Sequence, residues 1–284
     1  MKNNIMIMNF SGVYEMQGLK TALEKKVDSV VAENMAAKPV ITQLDCQDIP
    51  GTNCYCDSLA EEENGKRIIP FGPEGLHFLD SGNYHYLTKL WLELVKVPFE
   101  LLVFDHHTDM QRPAFGGILS CGSWIREALE TNENLKHVIL VGPPQPAMEE
   151  TKKELAEDGE ELLGKVIWIS EEEFLRNVEK PDWIQKLCGQ CNVTGTEADE
   201  KELLPLYISI DKDVLPESEG KTNWDQGNVV LEQVLHFIDV YMQQTPGRQL
   251  IGMDICGEDP ESDNEEVQTV CRKTSEKICG FFLC

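Results

Sequence analysis

Six apolar runs of strand length recur along the chain with helix-like stretches between them, and this alternation limits the fold more than any other feature. The runs are IMIMNF (5–10), ELLVF (100–104), HVILVG (137–142), KVIWIS (165–170), LYISI (206–210) and QLIGMDI (249–255). Continuously apolar strands are buried on both faces, which is the habit of a parallel sheet. The stretches 82–96, 121–130, 148–163, 171–178 and 228–244 read as the helices that cover it. The pattern predicts one doubly wound α/β domain over residues 1–284. Residues 45–66 and 188–205 read as long exposed loops.

A chain of 284 residues with 41% hydrophobic content can bury a core of that size. Its formal charge of −25, from 50 acidic against 25 basic residues, argues against nucleic acid or an anionic membrane as partner. No run of about 18 apolar residues offers a membrane span, and the N-terminal segment MKNNIMIMNFSG lacks the pattern of a secretory signal. The expectation is therefore a cytoplasmic protein acting on a small molecule, with its ten cysteines mostly free. Cys54-Tyr-Cys56 and Cys188-Gly-Gln-Cys191 are the only spacings that suggest structural zinc.

Ligands in doubly wound sheets bind beyond the carboxyl ends of the strands. Three apolar runs end in acidic residues: Asp105-His106-His107-Thr108-Asp109, Asp211-Lys212-Asp213 and Asp254-Ile255-Cys256-Gly257-Glu258. If the strand continues past Phe104, Asp105, His107 and Asp109 leave one face about 7 Å apart per step, and His106 points the other way. Asp211 and Asp213 share a face by the same spacing. Four carboxylates and a histidine at one sheet edge are costly to bury unless cations neutralise them. Hard carboxylates with a minority of imidazole favour Mn²⁺ or Mg²⁺ ahead of Fe²⁺ and Zn²⁺. A pair of such ions can activate a water for attack on a planar carbon.

FDHHTD (104–109) resembles the DAHxD motif of the ureohydrolase family of arginase, agmatinase and formiminoglutamase, and SIDKDVLP (209–216) is similar to its SxDxDxxDP motif. Gly82-Asn83-Tyr84-His85-Tyr86 stands where the family has a GGDHS-like ligand motif. The resemblance implies a three-layer α/β/α fold and two Mn²⁺ ions held by His85, Asp105, His107, Asp109, Asp211 and Asp213. It further implies that Asp105 and Asp211 bridge the ions, that Asp109 takes a proton from the bridging water, and that a C–N bond of a guanidine, amidine or related amide is hydrolysed. Trimers or hexamers are common in the family.

The chain departs from the pattern in several places. His106 replaces a small residue and is read as a packed or hydrogen-bonded group facing away from the metals. Cys121 stands at or beside the arginase proton-shuttling histidine and is the candidate for that role. Where the family grips a guanidinium with Glu, this chain has Gly257, with Glu258 one residue later; Glu258 reaches the site only if a bulge intervenes. Gln111, Trp224 and Asp225 are candidates for substrate contact. Two other readings compete: a single-zinc, deacetylase-like amidohydrolase, and a non-catalytic metal-binding protein of the same fold.

Overall fold

The computed structural model describes residues 4–34, 38–113, 116–159, 161–191 and 203–283. Its strands are β1 (Ile5–Asn9), β2 (Ile41–Asp45), β3 (Tyr55–Cys56), β4 (Gly75–Phe78), β5 (Phe99–Phe104), β6 (Leu119–Ser120), β7 (Leu135–Val141), β8 (Val166–Ile169), β9 (Leu206–Asp211) and β10 (Leu250–Cys256). Eight form one sheet in the order β2-β1-β4-β10-β9-β5-β7-β8, every pairing parallel. The remaining two, β3 and β6, pair as a short antiparallel ribbon.

Because strand side chains alternate, each strand feeds two cores. Ile5 and Ile7 of β1, with Leu102 and Phe104 of β5, pack on the face covered by helices Leu19–Asn34, Leu231–Gln243 and Glu265–Leu283. Met6 and Met8, with Leu101 and Val103, pack on the other, beneath helices Ser58–Ile68, Leu87–Leu92 and Trp124–Thr131. The result is the three-layer α/β/α architecture of the ureohydrolases. Among the described residues no helix is long and apolar enough to cross a membrane.

All six apolar runs are strands, with shifts of one or two residues at their ends. Two expectations change. Residues 45–66 are not an open loop: β3 lies within them, and Asp57 starts the helix Ser58–Ile68 by accepting the backbone amides of Leu59 and Ala60. The stretch 82–96 is a 3₁₀ turn, Gly82–Tyr84, followed by the helix Leu87–Leu92, and His85 closes the turn. Of the other expected loop, residues 192–202 lie outside the described residues.

Candidate metal centre

Four neighbouring strands at the middle of the sheet, β4, β10, β9 and β5, deliver the polar residues, and adjacent strands lie only about 4.8 Å apart. Asp105 follows β5, Asp211 ends β9, Cys256 ends β10, and His85 sits just beyond β4. The DxHxD segment does not converge by extending its strand. β5 stops at Phe104, and the chain turns so that Asp109 takes a left-handed backbone with φ 48°. The turn is held by carboxylates: the His107 amide donates to Asp105 Oδ1 at 2.6 Å and the His106 amide to Asp213 Oδ1 at 2.9 Å. With the alternation ended, His106 does not face away as expected; it lines the same cavity as His107. Asp213 likewise leaves the strand, in a 3₁₀ turn whose Asp213 amide donates to Asp211 Oδ1.

The six candidate ligands meet in overlapping groups. His85 Nδ1 lies 3.2 Å from Asp105 Oδ2, 3.2 Å from Asp109 Oδ2 and 3.4 Å from Asp211 Oδ2. His107 Nδ1 lies 2.8 Å from Asp213 Oδ2 and 3.6 Å from Asp105 Oδ1. Asp105 thus turns one oxygen to each histidine, as a bridging carboxylate would. His85 Nε2 meets Ser209 Oγ at 2.9 Å, and Ser209 donates its proton to Asp254 Oδ1 at 2.6 Å. Nε2 must therefore be the protonated nitrogen, which leaves the Nδ1 lone pair aimed into the cluster, as metal ligation requires.

The electrostatics fit cations. His85 Nδ1 and Asp105 Oδ2 are buried with no hydrogen-bond partner, an expensive condition that a divalent ion would relieve. Burial, together with the Asp105 charge, pushes Asp109 up to about 7. Burial and the neighbouring carboxylates also push Asp213 well up. Although burial opposes both shifts, His107 and the neighbouring His85 hold Asp105 below the usual carboxylate range, and Asp105 and Asp213 raise His107 to about 12. The donor set, carboxylates with two imidazoles at ligand-to-ligand spacing, fits divalent cations.

Five of the six candidate ligands, Asp105, His107, Asp109, Asp211 and Asp213, line a cavity of about 870 Å³. Gln111, Cys121, Trp224 and Asp225 all line it. Trp224 is placed by its indole, which donates to Asn83 Oδ1 at 2.8 Å. Glu258 is not there. Its carboxylate is fully buried, accepts from Lys212 Nζ and takes Gln17 Nε2 at 2.8 Å. Gly257 does adopt a left-handed turn, φ 92°, but the turn carries Glu258 towards Lys212 instead of the cavity. Neither position 257 nor 258 can grip a guanidinium in this cavity.

Cys54 and Cys56 enter none of the ligand groups found among the described residues, and the Cys191 side chain lies outside the residues described. The ligand group that sequence reasoning missed is His85, Asp211 and Cys256. The signal for it was register: Cys256 pairs directly with Asp211 across β10 and β9.

No family model matches the chain. An uncharacterized protein of Thermotoga maritima is 32% identical over 255 residues, covering 90% of this chain and 80% of its own length. Proclavaminate amidino hydrolase from Streptomyces clavuligerus superposes with a TM-score of 0.63 over 99% of this chain and 92% of its own, at 12% identity. Trypanosoma cruzi formiminoglutamase, solved with Mn²⁺, gives 0.60 over 99% and 93%, at 11% identity. At such identities these two likenesses establish the fold.

Proposed function

We propose that this chain, which shares the fold of the arginases and is similar to an uncharacterized protein of Thermotoga maritima, is a binuclear metal-dependent hydrolase of the ureohydrolase type that opens a C–N bond of an amidine or related amide. The observation that carries the reading is the ligand cluster itself, where His85 Nδ1 and Asp105 Oδ2 are buried without hydrogen-bond partners and two ligand groups are joined by Asp105. His85, Asp105, Asp109 and Asp211 would hold one ion; Asp105, His107, Asp213 and Asp211 would hold the other, with Mn²⁺ as the proposed metal. Such ions supply an activated water and charge stabilisation at a planar carbon. Two joined groups favour a pair of ions over the single zinc of a deacetylase-like site.

The chain's own residues define the rest. Trp124 Nε1 donates to Asp109 Oδ2 at 2.6 Å and fixes that carboxylate, the one proposed to take a proton from the activated water. Cys121 is a poorer proton carrier, because Cys54 and burial raise its thiol far above neutrality. With no carboxylate at position 257 and Glu258 committed to Lys212, free guanidines lose their expected grip. Asp225, Glu150 and Glu154 around the cavity would still receive a cationic amidine.

The test is metal analysis of protein produced with manganese, followed by formamide release from formiminoglutamate and urea release from agmatine, arginine and guanidinobutyrate. The expected result is about two ions per chain and formamide from the formimino compound in preference to urea from any guanidine. Two ions without product from any amidine or amide would favour the non-catalytic reading, and fewer than one ion would sink the proposal.

A further inference from the structure

Cys256 is fully buried, and its thiol is partnered differently from those of three other buried cysteines. Cys46, Cys188 and Cys271 direct their sulfurs at backbone carbonyls, those of Leu44, Tyr241 and Lys221. The Cys256 sulfur instead donates to Asp211 Oδ2 at 3.0 Å. Ligand atoms of Cys256, His85 and Asp211 all lie within 4.8 Å of one another. Beside them His85 Nδ1, its lone pair aimed inward, has no hydrogen-bond partner.

The spacing is that of ligands on one ion. Donor atoms about 2.1 Å and 2.3 Å from a metal stand about 3.1 Å apart at a right angle and about 3.6 Å apart at a tetrahedral angle. The separations seen here are 3.0 Å for sulfur to Asp211 Oδ2, and 3.4, 3.2 and 3.2 Å from His85 Nδ1 to Asp211, Asp105 and Asp109. The placement follows from the sheet: parallel neighbours β9 and β10 are in register at their last residues, so Asp211 and Cys256 emerge side by side.

We infer, resting on the binuclear reading above, that Cys256 is a sulfur ligand to the ion held by His85 and Asp211. That half of the centre is then built for a borderline-soft divalent ion, Fe²⁺, Co²⁺ or Zn²⁺, while the half made of His107 and Asp213 keeps an oxygen-rich set suited to Mn²⁺. On binding, the sulfur–metal bond forms as the thiol proton passes to solvent, with no change of oxidation state.

The experiment loads the metal-free full-length chain with cobalt. The wild type should take up about two ions, show a sulfur-to-cobalt charge-transfer band in the near ultraviolet, and give a sulfur scatterer at about 2.3 Å by X-ray absorption. Cys256→Ser should lose band and scatterer while still binding cobalt, and its preference for zinc over manganese should fall by about tenfold or more. Cys121→Ser and Cys271→Ser should leave the spectrum unchanged.

Two bound cobalt ions with no sulfur signal in the wild type would overturn the inference and leave the binuclear reading standing. So would a band that disappears in Cys121→Ser and persists in Cys256→Ser, because the sulfur would then come from the cavity wall. Fewer than one bound ion would overturn both. The wild-type spectrum and the Cys121→Ser control decide the matter even if Cys256→Ser does not fold.

Discussion

Gly257 adopts φ 92°, and a Cβ added to it would lie 2.4 Å from Asp211 Oδ1 and 2.7 Å from the Lys212 amide. Backbone and a metal-facing carboxylate cannot move aside cheaply. Gly257→Ala should therefore cost about 1–3 kcal/mol in urea unfolding and lower the bound metal by displacing Asp211. Gly257→Glu, the substitution that restores the motif on paper, should lose metal as well and gain no guanidine hydrolysis. Full metal content together with urea release from agmatine in Gly257→Glu would contradict this. The same residue shows where the sequence stopped being legible. DxHxD and DxD are short-range patterns, so their ligand types could be read directly. Where Glu258 points depends on a left-handed turn and on a buried lysine in the 3₁₀ turn after β9, and no local spacing reveals either. Cys256 was hidden for a similar reason, because its neighbour Asp211 is 45 residues away and only register joins them.

At the scale of the element, β4 was invisible in the sequence although it lies inside the sheet between β1 and β10. It is only four residues long, Gly-Leu-His-Phe, and a histidine interrupts its apolar run. Tertiary partners make that histidine acceptable. His77 stacks on Trp91 with ring centroids 3.7 Å apart and meets the Tyr207 hydroxyl through Nδ1 at 2.9 Å. The stretches that were legible, such as β5 and β7, are longer and unbroken. Burial lowers His77 to about 3. An unfolded histidine takes a proton near 6.5, so its contribution to stability is complete above that pH and is lost progressively as pH falls towards 3. The loss is at most about 4 kcal/mol over that window. In chelator-treated protein, urea unfolding from pH 7 to 4 should show a shallower acid decline for His77→Phe than for the wild type, after a pH-independent cost of about 1 kcal/mol for the Tyr207 bond. Parallel declines would show that His77 does not carry the acid sensitivity.

For the whole molecule, the surplus of acidic residues is largely a surface matter, whereas Lys212 and Glu258 form an ion pair with both side chains fully buried. That pair holds the two ends of the described chain behind the metal centre. Lys212 Nζ also donates to the Cys271 carbonyl at 3.2 Å and to Ser275 Oγ at 2.8 Å, both in the helix Glu265–Leu283. Gln17, the last residue of the helix Val13–Gln17, donates through Nε2 to Glu258 at 2.8 Å and to Gln268 at 2.9 Å. A pair with this role differs in a measurable way from a substrate-gripping carboxylate. Removing one partner strands a buried charge, so Lys212→Met and Glu258→Leu should each cost about 3–5 kcal/mol. The double variant should recover most of that loss, because apolar side chains can fill the volume without leaving a charge behind. A double-mutant cycle in urea, run with and without saturating metal, reads both quantities. Were Glu258 a substrate ligand instead, Glu258→Leu would leave stability nearly unchanged and weaken only substrate binding, and the double variant would rescue nothing. Recovery in the double variant would instead mark Lys212 as the internal cation of Glu258, which makes the ion pair part of the framework behind the candidate metal site and leaves substrate selection to the cavity wall.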